Sequence, residues 1–144
     1  LRQRLVKVSA DREVVLDAGY PIRLRTSAKP SGGEPKFMLG AMLYCVDANG
    51  VRRGLAWGPE YTTDSATDRY HFDERGELSL RMPAAGVYEC DVGVTVLSGG
   101  VGRGAPVELS PKPRITVLAS SAEQLFELTI PQHAVQEAIE GALR

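Results

Sequence analysis

Met82-Pro83-Ala84-Ala85-Gly86-Val87-Tyr88-Glu89-Cys90-Asp91-Val92-Gly93-Val94-Thr95-Val96-Leu97 orients the reading of the whole chain. Pro83 to Gly86 has turn composition. Beyond it Tyr88, Cys90, Val92, Val94 and Val96 fall at every second position, while Glu89, Asp91 and Thr95 stand between them. Successive side chains of a strand point to opposite faces, so this spacing predicts a central strand with one apolar face buried.

Working outward, the same period recurs in short runs separated by Gly and Pro about every 10 residues, the spacing of a β-sandwich or barrel. Glu13 to Leu16 and Pro21 to Thr26 flank the turn Asp17-Ala18-Gly19, with an edge strand at Leu5 to Val8 before them. Lys29 to Pro35 is a loop, and Phe37 to Val46 is a long strand. Asn49-Gly50 is a two-residue type I′ signal, returning the chain along Val51 to Trp57. Arg69 to Phe72, Asp73-Glu74-Arg75-Gly76 and Glu77 to Met82 predict a second hairpin, and Ser98 to Pro106 a glycine-rich hairpin loop. Arg114 to Leu118 closes the set.

The tail differs. Phe126, Leu128 and Ile130 alternate like a strand, although Ser120 and Glu123 also fit a helical capping box. From Pro131 on, Val135, Ile139 and Leu143 recur every fourth residue beside Ala138 and Ala142, predicting an amphipathic helix. The expected division is a β-sandwich over 1–119 and a C-terminal strand and helix extension over 120–144.

Composition narrows the function. Hydrophobic residues make up 43% and charged residues 24% of 144, the balance of one folded domain. Seventeen Lys and Arg against eighteen Asp and Glu leave a net charge of -1, which excludes a global field directed at nucleic acid. No apolar run approaches the roughly 18 residues of a spanning helix. The opening at Leu1, with Arg2, Arg4 and Lys7 close behind, lacks a signal-peptide core and reads as part of a larger protein.

The run from Met82 to Cys90 resembles the entry to strand F of immunoglobulin-like domains, where Gly-x-Tyr-x-Cys forms a tyrosine corner. The resemblance extends as strand order over about residues 11 to 118 and implies an immunoglobulin-like antiparallel β-sandwich, mostly β, with a short C-terminal α-helix. It implies that Gly86 permits a tight approach and that the Tyr88 hydroxyl bonds back to the turn. The expected strand B, Pro21 to Ala28, carries no cysteine, unlike the antibody pattern. Cys45 lies instead late on the long strand that corresponds to C, so that Cys45 and Cys90 are either a cross-strand disulfide or two thiols. A bridge implies a secreted, extracytoplasmic setting; free thiols imply the cytoplasm.

Nothing marks catalysis. His71 and His133 have no partner at ligand spacing, and no elbow surrounds Ser98. Gly99, Gly100, Gly102 and Gly104 do not have the offsets of a phosphate loop. The expected role is a non-catalytic binding or structural module for protein–protein interaction or assembly, without cofactor or bound metal. Its contact residues are Ser98, Gly99, Gly100 and Arg103 of the loop after the cysteine strand, a place where immunoglobulin-like binders carry recognition. Two alternatives stand beside it. Trp57, Tyr61 and Tyr70 could be glycan-stacking faces of a carbohydrate-binding module, and the acidic residues Glu60, Asp64, Asp68, Asp73 and Glu74 could serve a metal-dependent enzyme or enzyme subunit. The helix is amphipathic and needs a partner surface, either the sandwich itself or a second copy in a homo-oligomer.

Overall fold

Alternating runs of this kind cannot bury an apolar face singly, so they pair into sheets and stack. The computed structural model describes residues 19–28, 36–57 and 70–144. The chain order is β1 (Tyr20–Thr26), β2 (Lys36–Val46), β3 (Arg52–Trp57), β4 (Glu77–Met82), β5 (Gly86–Ser98), β6 (Val101–Val107), β7 (Arg114–Val117), β8 (Gln124–Leu128) and α1 (Gln132–Leu143). The expected strands at Leu5 to Val8 and Glu13 to Leu16, and the loop at Lys29 to Pro35, lie outside the described residues.

The strands form two sheets. The smaller runs β4-β1-β8, and the larger runs β3-β2-β5-β6, with β7 pairing β5 beyond the end of β6. β5 organises the larger sheet. Tyr88, Cys90, Val92, Val94 and Val96 are all at most 3% exposed, and Leu43, Ala41, Leu39 and Phe37 of β2 stand opposite Cys90, Val92, Val94 and Val96. Ile22 and Leu24 of β1 oppose Leu80 and Leu78 of β4 in the smaller sheet, and all join one core cluster with the β5 residues.

The tail belongs to the same body. β8 pairs in parallel with β1, from Ile22 opposite Gln124 to Thr26 opposite Leu128, which resolves the choice over 120–130 in favour of a strand. α1 then packs on β5 and β6, and its Ala134, Val135, Ala138, Ile139 and Ala142 enter the common core. The stripe expected either to cover the chain or to dock a second copy is used within the chain; of its residues Leu143 stays exposed.

Three local expectations are corrected. Asn49-Gly50 is not a type I′ pair, because no described residue other than glycine has positive φ. Instead the Gly50 amide donates to the Asp47 carbonyl, Gly50 takes φ 77°, and the Asp47 amide donates to the Val51 carbonyl. Asp47 Oδ1 accepts from the amides of Asn49 and Val51, each at 2.9 Å, so a capping carboxylate takes over what two positive φ angles would have done. The same device recurs at Asp73-Glu74-Arg75-Gly76, where Asp73 Oδ1 accepts from Arg75 and Glu77.

That second turn does not close a hairpin. His71 bridges Gly40 and the Phe72 amide donates to Leu39, both in the larger sheet, whereas β4 pairs with β1 in the smaller one. The turn carries the chain from one sheet to the other. Finally, Ser98 to Pro106 is not a loop: Gly99 and Gly100, at φ 59° and 78°, make a two-residue turn between the paired Ser98 and Val101, and β6 begins at once.

Candidate functional site

The outward face of the larger sheet divides into two halves of different chemistry. In the half nearer β7, Tyr44 and Glu89 are cross-strand partners, as are Met42 and Asp91 and, on the far side, Glu89 and Arg114. Arg52 reaches across from β3. Its guanidinium donates to both oxygens of Asp91, at 3.0 and 2.8 Å, and to Glu89, while its Cζ sits 3.9 Å from the centre of the Tyr44 ring. Lys112 donates to Asp91 Oδ1 at 2.8 Å, and Arg114 donates to Glu89 and to the Gly50 carbonyl.

The Arg52 hydrogen bonds are the largest influence on both carboxylates, joined by Lys112 at Asp91 and Arg114 at Glu89, and they hold both below the ordinary carboxylate range. Such groups are ionised and fully occupied at neutral pH. They have no proton to trade, so they brace the sheet rather than perform acid–base chemistry.

The other half carries a single charged residue. Moving along β5, Gly93 lies between Gly40 and Pro106, Thr95 between Met38 and Gly104, and Leu97 between Lys36 and Gly102. Only Lys36, at the outer corner, carries charge in these three rows. The row of Gly40, Gly93 and Pro106 leaves a trough in the sheet surface. It opens into a groove of about 450 Å³ walled by Met42, Tyr70, Thr95, Leu109 and Lys112.

Tyr70 and His71 close one end. Their ring centroids are 4.2 Å apart, and a β-carbon on Gly40 would stand 3.2 Å from the Tyr70 ring and 3.1 Å from the His71 ring. Glycine at 40 is what lets the two rings approach the strand. Above Gly93 there is room: a β-carbon there would meet only the Ala105 carbonyl oxygen, at 3.5 Å.

The expected contact residues are partly brought together. Ser98, Gly99 and Gly100 form the tip of the β5–β6 hairpin, flanked by the exposed aliphatics Leu97 and Val101. Arg103 is not at that tip; it lies opposite Val96, on the side of the strand away from Leu97. Tyr70 joins the groove. Trp57 ends β3 opposite Leu43, and Tyr61 falls outside the described residues, as do Glu60, Asp64 and Asp68. Asp73 is engaged in its turn. Among the described residues no three His, Cys, Asp or Glu side chains gather as a metal-ligand set, and no helix is long and apolar enough to cross a membrane.

The cysteines are both free. Cys45 stands opposite Tyr88, and Cys90 opposite Leu43, so the two share a face but are offset by two residues. Diagonal cross-strand neighbours stand about 7–8 Å apart, beyond the span of a disulfide, so of the two alternatives the structure has two thiols and no bridge. Burial pushes the Cys90 thiol up to about 12, and the neighbouring Asp91 charge adds to it.

Tyr88 does bond back to its turn. Its hydroxyl donates to the Ala84 carbonyl at 2.6 Å, with the ring 2% exposed. Gly86, between them, has φ 145° and open space where a β-carbon would stand, so its role is backbone conformation and not close approach.

The groove residues Gly40, Met42, Gly93 and Pro106 escaped sequence reasoning. Two signals were present: isolated glycines inside two strands mark a close backbone approach, and the outward positions of β5 change from Glu89 and Asp91 to Gly93, Thr95 and Leu97. No family model, curated protein or solved structure matches the chain.

Proposed function

We propose that the chain is an immunoglobulin-like sandwich acting as a non-catalytic protein-binding module, and that it docks its partner on the half of the larger sheet that holds no ion pair, the rows through Leu97, Thr95 and Gly93. Strand order supports the fold. β1 beside β4, and β3-β2-β5-β6, correspond to strands B and E and to C′-C-F-G of such a sandwich, with the Tyr88 corner at the start of the strand equivalent to F. β8, parallel to β1, and the break between β6 and β7 are departures from that pattern.

One observation carries the functional reading. Outward faces elsewhere are laced with ion pairs: Arg23 and Arg25 with Glu77, Glu123 and Glu127 on the smaller sheet, and Arg52, Lys112 and Arg114 with Glu89 and Asp91 on the larger. The rows through Gly93 and Thr95 have none. An apolar patch rimmed by charge is the usual composition of a recognition surface, with a core free of charge and a polar border.

The test is a substitution that fills the trough without loading the fold. Gly93→Val adds a β-branched side chain to a strand position with ordinary clearance. Proteins retained by the immobilised wild-type chain would be identified, purified and titrated against both forms and against Arg81→Ser, on the outward side of the smaller sheet. The reading expects Gly93→Val to weaken the partner at least tenfold and Arg81→Ser to leave it unchanged. Equal affinity for all three would remove the groove from the interface, and turnover of a substrate by the purified chain would refute the non-catalytic role.

A further inference from the structure

We draw no further inference here: the strongest candidate, the glycine-floored groove between Tyr70 and Lys112 on the outward face of the larger sheet, belongs to the face already described, and nothing in the structure shows what chemistry covers it.

Discussion

Replacing Tyr88 by Phe isolates one hydrogen bond in an otherwise unchanged core. The hydroxyl donates to Ala84 at 2.6 Å from a ring that is 2% exposed, while Ala84 itself is exposed. The orphaned carbonyl can therefore turn to water, and the loss should be the net value of one hydrogen bond, about 1 kcal/mol, without a burial penalty. At a urea dependence of about 2 kcal/mol per molar, the midpoint should fall by about 0.5 M. Tyr88→Ala removes the ring as well and should cost about 3–5 kcal/mol, as other aromatic truncations in cores do. Equilibrium urea unfolding followed by far-ultraviolet circular dichroism reads both.

The phenol supplies a second readout. Burial raises its pKa above the ordinary value, and the neighbouring Cys45 adds to the rise. A group raised in the folded state contributes stability that is complete below its unfolded pKa, about 10 for tyrosine, and is lost as pH climbs through the folded value. Tyrosinate absorbance should thus show a late-ionising phase in the wild type that is lost in Tyr88→Phe. A Phe variant as stable as wild type, or as damaged as the Ala variant, would refute the corner as described.

The acid limb of stability should depend on Arg52. Glu89 and Asp91 are lowered chiefly by its hydrogen bonds, so their contribution is present above the unfolded carboxylate pKa, about 4, and is lost as pH falls through the folded values. Arg52→Met should cost about 1 kcal/mol at pH 7 and flatten the loss below pH 4, as measured by urea midpoints across pH; an unchanged acid limb would contradict the network. Thiol labelling of the native chain should proceed in two phases, with half-buried Cys45 first and Cys90, buried with a raised pKa, only as fast as the chain opens. Two equally fast thiols would count against the burial of β5. Ile139→Ala should cost about 2–4 kcal/mol, because the side chain is 4% exposed in the common core, whereas Leu143→Ala, at 43% exposure, should stay within about 0.5 kcal/mol. Thermal unfolding in one transition would accompany both, and a separate helix transition would show that α1 is not part of the same body.

Much of the fold was legible because it rests on period. The alternation over Val87 to Leu97 set the inward residues of β5 correctly, since which face a side chain takes in a strand follows from its position in the pleat. The four-residue repeat after Pro131 likewise marked α1. What misled was local chemistry with two solutions. Asn49-Gly50 suits a type I′ turn, but Asp47 two residues earlier offers a carboxylate that satisfies the amides of Asn49 and Val51 and stabilises the longer turn. Gly99 to Gly104 reads as a loop by composition, yet two of those glycines suffice for the turn and the rest pair with β5.

The candidate site was less legible, because it is made of rows that cross strands distant in sequence. Gly40, Gly93 and Pro106 form a trough only once β2, β5 and β6 are in register. Cys45 and Cys90 show the same limit: their strands were identified as neighbours, but whether the two oppose or miss each other by two residues is a matter of register alone.

The sequence by itself determined the β character, the buried face of the central strand and the closing amphipathic helix, because each depends on spacing within a few neighbouring residues; the Tyr88 bond to its turn was what the resemblance implied. Tertiary structure decided the partners: that β8 runs parallel to β1, that the Asp73 turn crosses between sheets, that α1 completes the core, and that the rows through Gly93 and Thr95 hold no ion pair. Those outcomes are set by long-range pairing and by which surfaces remain to be covered, quantities that no local pattern encodes.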